Sequence, residues 1–229
     1  MQLDILYEDA AMIAVNKPAG IVVHPTYKNV AGTLLDALRA YGHDWSDDQA
    51  AGIVGRLDKE TSGIVVAAKT AAGHSALQRI LRSPASSKDY LAVVHGPVQA
   101  GSGSITDALR VDPSDRRRVV IAASDGGGVA CETRFERLES NDRYALLRCR
   151  LVTGRRHQIR VHMAARGWPI LGDRVYGEAI EGCARHALHA WRASFEHPVS
   201  GDRIHIEAPL PPDMMAIVRA CFPALSTLL

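Results

Sequence analysis

Apolar and polar positions along the chain follow two rhythms. Alternation at period two, or short apolar runs bounded by turn residues, predicts strands near 3–7, 12–16, 20–24, 63–69, 88–95, 117–122, 129–138, 144–152, 188–196 and 203–207. Apolar spacing of three and four predicts helices over 33–41, 70–82, 156–166 and 212–221. Strands outnumber helices and follow one another directly through much of the second half, so a regular βαβ series is not expected. The pattern points to an α+β fold with a mixed, mostly antiparallel sheet and flanking helices. Pro18, Pro25, Pro84, Pro97 and Pro113 fall between the elements, where a missing backbone donor does least harm.

A length of 229 residues with 47% hydrophobic content is ample for a packed core. No linker, low-complexity tract or repeat divides the sequence, and Gly126-Gly127-Gly128 reads as a turn, so a single domain over 1–229 is expected. No basic start followed by an apolar run and no apolar stretch of about 20 residues occurs, which predicts a cytoplasmic protein without a membrane partner. Cys131, Cys149, Cys183 and Cys221 lie far apart and read as reduced thiols. Cys183, His186 and His189 have a spacing that could bind a metal. They lack a nearby fourth ligand, and the segment reads as an ordinary strand approach, so no metal is expected.

The formal net charge of +2 says less than its distribution. Between Arg143 and Gly172 stand seven arginines and no Asp or Glu. Such a block is often a solvated face, but arginine without lysine favours a polyanionic partner, because its planar fork binds phosphate bidentately and stacks on bases. Arg116-Arg117-Arg118 can extend that surface, tempered by Asp112 and Asp115.

The segment Gly55-Arg56-Leu57-Asp58-Lys59-Glu60-Thr61-Ser62-Gly63 sets a carboxylate beside an arginine at the mouth of the apolar run Ile64-Val65-Val66-Ala67-Ala68. An unpaired carboxylate is costly to bury, so Asp58 needs a cationic partner, a reaction, or both. Glu60 invites a two-carboxylate reading, since residues two apart in an extended segment share a face roughly 6–7 Å apart. A solvated or helix-starting carboxylate is the plainer reading of Glu60.

Taken with Asn16-Lys17-Pro18-Ala19-Gly20, Lys88-Asp89-Tyr90-Leu91-Ala92, Thr153-Gly154-Arg155-Arg156-His157-Gln158-Ile159-Arg160-Val161-His162, Pro169-Ile170-Leu171-Gly172-Asp173, Ala187-Leu188-His189-Ala190 and Ala208-Pro209-Leu210-Pro211, that segment resembles the RluA-type RNA pseudouridine synthases over nearly the whole chain, with the blocks in the family's order. The resemblance implies the pseudouridine synthase catalytic fold, no cofactor, and a uridine of ribosomal or transfer RNA as substrate. It implies that Asp58 is the required aspartate. A carboxylate there could attack C1′, stabilise a cationic sugar or take a proton from C2′, and the sequence does not choose among these. Tyr90 is the family-matched residue for stacking on uracil and helping to move the C5 proton, against the alternative of a strand tyrosine that only packs. Arg160 is the family-matched cation that keeps the aspartate ionised. Arg156 and Arg160, four apart on the expected helix, would share a face near its positive end, which makes sense chiefly if an anion sits there. Arg56 is expected to fill the space left by a flipped base or to hold its phosphate, against the alternative of a structural salt bridge. Arg155, Arg156, His157 and Gln158 are the further candidates for RNA contact. His157, Gln158 and His162 could contact RNA or orient the arginines, against the alternative, of at least equal weight for a lone histidine, of a satisfied structural role.

The chain departs from the RluA pattern at Gly55, where a histidine is common, and at Arg156, where a smaller side chain is usual. Many relatives carry an S4-type RNA-binding domain ahead of the catalytic region. With the first strand expected within a few residues of Met1, none is expected here, and recognition falls to the catalytic domain acting as a monomer on an RNA stem-loop with accessible bases. Two other classes compete with this reading. A non-catalytic RNA-binding or ribosome-assembly factor that kept the fold would have no reason to keep Asp58, Tyr90 and Arg160 together. A glycosidic-bond hydrolase would need a second, differently tuned acid and would release free uracil.

Overall fold

The computed structural model describes residues 1–42, 52–123 and 126–227. In chain order, strands β1 (Ile5–Glu8) and β2 (Met12–Lys17) precede helix α1 (Leu34–Tyr41), and β3 (Gly52–Val54) and β4 (Ser62–Ala68) precede α2 (Ala71–Ile80). Strands β5 (Ser87–His95), β6 (Ser102–Ile105), β7 (Leu109–Val111), β8 (Val119–Ile121), β9 (Thr133–Ser140) and β10 (Tyr144–Leu151) follow. Helix α3 (Gln158–Ala165), strands β11 (Leu188–Glu196) and β12 (Arg203–Glu207), helix α4 (Pro212–Cys221) and a short 3-10 turn at Pro223–Thr227 complete the order. The fold is α+β with mostly antiparallel pairing. Among the described residues no helix is long and apolar enough to cross a membrane. The chain divides into two compact units, Met1–Lys88 with Ala190–Pro209, and Asp89–His189 with Leu210–Leu229.

In the first unit β4 is the central strand. Val66 pairs with Ala14 of β2 on one side and with Val54 of β3 on the other. All seven β4 residues are buried, which is why this strand reads as a continuous apolar run instead of an alternation. Its side chains still alternate between two cores. Ile64, Val66 and Ala68 pack with Met12, Ala14 and Leu77 of α2. Val65 and Ala67 pack on the opposite face with Ile13, Val15 and Leu34 and Leu38 of α1.

Thr33 starts α1 through a capping box: its hydroxyl accepts from the Asp36 N–H, and the Asp36 carboxylate accepts from the Thr33 N–H at 3.0 Å. The expected strand at 20–24 is absent. The Val22 and Val23 carbonyls instead accept from the N–H groups of Leu34 and Leu35, so this apolar run is used to satisfy the open end of α1.

In the second unit the strand order is β5-β10-β9-β6, with Tyr90 opposite Cys149 and Cys149 opposite Phe135. Strand β6, sequence Ser-Gly-Ser-Ile, has no apolar rhythm and among the described residues pairs with β9 alone, so nothing in the sequence announced it. Strands β7 and β8 form a separate ladder. Helix α3 begins at Gln158 because His157 before it lies in the left-handed region, with φ 55° and ψ 15°. Arg156 therefore precedes the helix instead of sharing a face of it with Arg160. The four cysteines are buried and unbridged, and burial pushes the Cys149 thiol up to about 12, with Asp89 adding to the shift.

Candidate active site

In the first unit, residues 55–61 connect β3 to β4 and carry Asp58. Gly55 has φ +87°, a conformation that side chains strain against, and a carbon added there would lie 3.6 Å from the Lys88 ammonium. A glycine thus fits this backbone. Gly63, at the other end, has φ +110°, and an added carbon would stand 2.2 Å from the Ala190 carbonyl oxygen. Lys59 and Glu60 form a turn in which the Thr61 N–H donates to the Asp58 carbonyl at 3.1 Å. The extended geometry that would align Asp58 with Glu60 is therefore not formed.

What holds this turn is Lys17, fully buried at the end of β2. Its ammonium donates to the carbonyls of Pro18, Ile21 and Lys59 at 2.7, 2.9 and 3.1 Å. The Gly20 N–H also donates to the Lys59 carbonyl, at 2.9 Å. Removed from water, an ammonium requires such partners. The Asn16–Gly20 segment is thereby bonded to the residue next to Asp58. Asp58 itself is half-buried, and Arg56 is exposed. His24 is held below its ordinary pKa by burial and by the charges of Arg56 and Arg39.

In the second unit Tyr90 is 8% exposed on β5. Its neighbour Asp89 takes a bidentate ion pair from Arg150 on the facing strand, at 2.7 and 2.8 Å. Arg160, in the first turn of α3, is bound by Asp173 in the same bidentate way, Nε to Oδ2 at 2.7 Å and Nη2 to Oδ1 at 2.8 Å. Asp173 is fully buried and also accepts from the N–H groups of Val175 and Tyr176. Burial opposes its charge, yet the hydrogen bonds and charge of Arg160, the Val175 N–H and His186 hold its carboxyl below the usual range.

The Tyr176 ring lies 5.1 Å from the Arg160 guanidinium carbon, and its hydroxyl accepts from the Val119 N–H and bonds His157 Nδ1 at 2.7 Å. Arg160, His157, Tyr176 and Asp173 thus form one cluster. Its last two members carry no sequence signal of their own beyond Asp173's place in the family-like Pro169–Asp173 block.

The remaining candidates separate. Gln158 is 1% exposed; its amide oxygen accepts from the Thr153 hydroxyl and the Arg155 N–H, and its nitrogen donates to the Glu132 carbonyl and the Thr133 hydroxyl. Both amide ends are engaged inside the unit, where Gln158 braces the turn at 153–158 against Glu132 and Thr133. His162 is likewise fully buried, bonded to Thr133 and the Asp107 carbonyl, and burial lowers its pKa. Arg155 and Arg156 are exposed, and the Arg156 guanidinium donates to the carbonyls of Arg116 and Arg117, which draws that arginine turn beside it.

The arginine block is not a one-sign surface. Arg148, Arg150, Arg160 and Arg166 meet Glu136, Asp89, Asp173 and Asp107, carboxylates drawn from elsewhere in the sequence.

Residues 11–165, a span holding Asp58, Tyr90 and Arg160, match the family described as RNA pseudouridylate synthase. A protein of Neisseria meningitidis serogroup B named ribosomal large subunit pseudouridine synthase D is 42% identical over 226 residues, covering 93% of this chain and 60% of the relative. The Bacillus subtilis protein named uncharacterized RNA pseudouridine synthase YlyB is 40% identical over 223 residues, covering 95% of this chain and 72% of the relative. This chain therefore spans 60% of the length of the Neisseria relative. Among solved structures, human RNA Pseudouridylate Synthase Domain Containing 1 superposes with a TM-score of 0.74 at 26% identity, over 92% of this chain and 84% of that one.

Proposed function

The chain belongs to the RNA pseudouridylate synthase family, and on that premise we propose that it isomerises uridine to pseudouridine in RNA. The observation that carries this reading is the family match across 11–165, with the Asp58 turn built by a dedicated buried lysine inside it. Ribosomal or transfer RNA is the substrate class. A stem-loop of large-subunit ribosomal RNA is preferred because relatives bear that name and an unpaired uridine leaves its stack at least cost. The same reading takes the whole chain as one catalytic domain that works as a monomer in the cytoplasm.

The reaction breaks the N1–C1′ bond, turns the uracil and joins C5 to C1′, with the C5 proton leaving to solvent and N1 gaining one. Substrate and product are isomers, so no cofactor is consumed. Asp58 acts at the sugar, by attack on C1′, by stabilising a cationic sugar or by taking the C2′ proton. Tyr90 offers a flat surface to the ring and helps the C5 proton to leave. Arg160 supplies the positive charge that a reacting carboxylate needs to stay ionised. Arg56 compensates for the flipped base, while Arg155, Arg156 and His157 contact the RNA backbone.

The test is tritium release from ribosomal and transfer RNA labelled at uridine C5, with the wild type beside Asp58→Asn. Release by the wild type alone is expected. Release by Asp58→Asn at the wild-type rate would overturn the assignment of Asp58, and free uracil among the products would replace isomerisation by hydrolysis.

A further inference from the structure

Tyr27 is 87% exposed, more than any other large apolar side chain among the described residues. It does not hang on a loose loop. Thr26 and Asn29 pair in both directions, Thr26 N–H to Asn29 carbonyl at 2.9 Å and Asn29 N–H to Thr26 carbonyl at 3.1 Å, and the Thr26 hydroxyl accepts from the Asn29 N–H at 3.2 Å. Tyr27 and Lys28 form the tip of that turn, with the Lys28 ammonium 5.5 Å from the ring centroid.

The turn leaves directly from the segment that braces the Asp58 loop. Lys17 and Gly20 bond the Lys59 carbonyl, and Val22 and Val23 are fixed on the start of α1. His24 follows, and it feels the charges of Arg56 and Arg39. From Asn16 to Leu35 the sequence has no Asp or Glu.

A lone exposed apolar residue needs no explanation. A tyrosine held out on a pinned turn, with a lysine beside its ring and no carboxylate in the segment from Asn16 to Leu35, has the makeup of a surface for an unpaired nucleobase. There the π-face takes a base and the cations take the adjoining phosphates. We propose that Tyr27 is a stacking platform for an unpaired base of the bound RNA, with Lys28 meeting the phosphate beside it. This rests on the reading of the chain as an RNA-modifying enzyme and adds a contact outside the residues that carry the chemistry.

The experiment compares wild type, Tyr27→Phe, Tyr27→Ala and Lys28→Ala in two assays. One is titration of a fluorescein-labelled, unstructured uridine-rich RNA strand and its duplex at fixed low salt. The other is tritium release from a 5-tritiated transcript of large-subunit ribosomal RNA. Tyr27→Ala is expected to weaken binding of the single strand roughly five- to a hundredfold, the range of one base–aromatic stack, and to raise KM for the transcript. Tyr27→Phe keeps the ring and should bind close to wild type, duplex binding should be unaffected by Tyr27→Ala, and Lys28→Ala should flatten the salt dependence. Wild-type affinity in Tyr27→Ala would overturn the platform, as would equal losses in Tyr27→Phe and Tyr27→Ala or equal losses on strand and duplex. If the wild type released no tritium while Tyr27→Ala still lost affinity for the strand, the catalytic reading would fall and the platform would stand.

Discussion

Asp173 sits fully buried against a guanidinium that is 6% exposed, with two hydrogen bonds between them. Removing the carboxylate would leave Arg160 charged in a low-dielectric site, and Asp173→Ala is therefore expected to lower unfolding free energy by about 3–5 kcal/mol in a urea titration. Asp173→Asn keeps the shape and loses the charge, so it should cost less stability while still reducing tritium release, because Arg160 would no longer be held in one orientation.

The pair also sets a pH dependence. The folded carboxyl of Asp173 titrates below its unfolded value near 3.9, so its stabilisation is fully present above that value and is lost as pH falls through the folded one. Unfolding midpoints measured downward from about pH 5 should fall more steeply for wild type than for Asp173→Asn.

Lys17 offers a second case. Lys17→Met leaves the carbonyls of Pro18, Ile21 and Lys59 without this donor, at roughly 1–3 kcal/mol for each acceptor left unsatisfied. Activity should fall by more than the loss of folded protein explains, since the turn next to Asp58 loosens first. The motifs that hold Asp58 and Arg160 stand out in the sequence as family-like blocks. The Asp173 partnership is not legible there, because a pairing 13 residues apart that joins a helix to the irregular chain beyond it leaves no period in the sequence.

At the scale of elements, the helices were read nearly as they form, since their spacing and caps are local. Helix α4 occupies Pro212–Cys221 as expected, and α2 starts after Thr70, whose hydroxyl accepts from the Gly73 N–H at 3.1 Å. The misses have tertiary causes. Residues 20–24 look like a strand but serve α1, β6 forms only because β9 offers it an edge, and the left-handed His157 delays α3 by two residues relative to its periodicity.

The weight that α2 carries can be measured directly. Leu77 is fully buried in the core that also holds Met12, Val66 and Phe195. Leu77→Ala should cost about 2–5 kcal/mol, read as a lower denaturant midpoint at unchanged slope. Thr33→Ala should cost only about 1 kcal/mol, the ordinary value of an N-cap.

For the whole molecule, the question is how many cations remain for RNA once internal ion pairs are counted. A formal charge of +2 conceals the answer, and so does the arginine block read as sequence, because four of its seven members are met by carboxylates from other segments. Of the block, Arg143, Arg155 and Arg156 remain, all exposed, together with exposed Arg56 and with Arg116 and Arg118 on the turn that Arg156 holds. If about four phosphates are neutralised, affinity for RNA should fall roughly fifty- to a hundredfold between about 50 and 200 mM salt. A flat response would remove the basic surface from the account. A loss approaching a thousandfold or more would require about seven phosphate contacts, and so would mean that arginines now paired with Glu136, Asp89 or Asp107 exchange their carboxylates for phosphates when RNA binds. Arg166→Ala separates these outcomes, since it removes one such arginine and should leave the salt slope unchanged only if Asp107 keeps it in the complex.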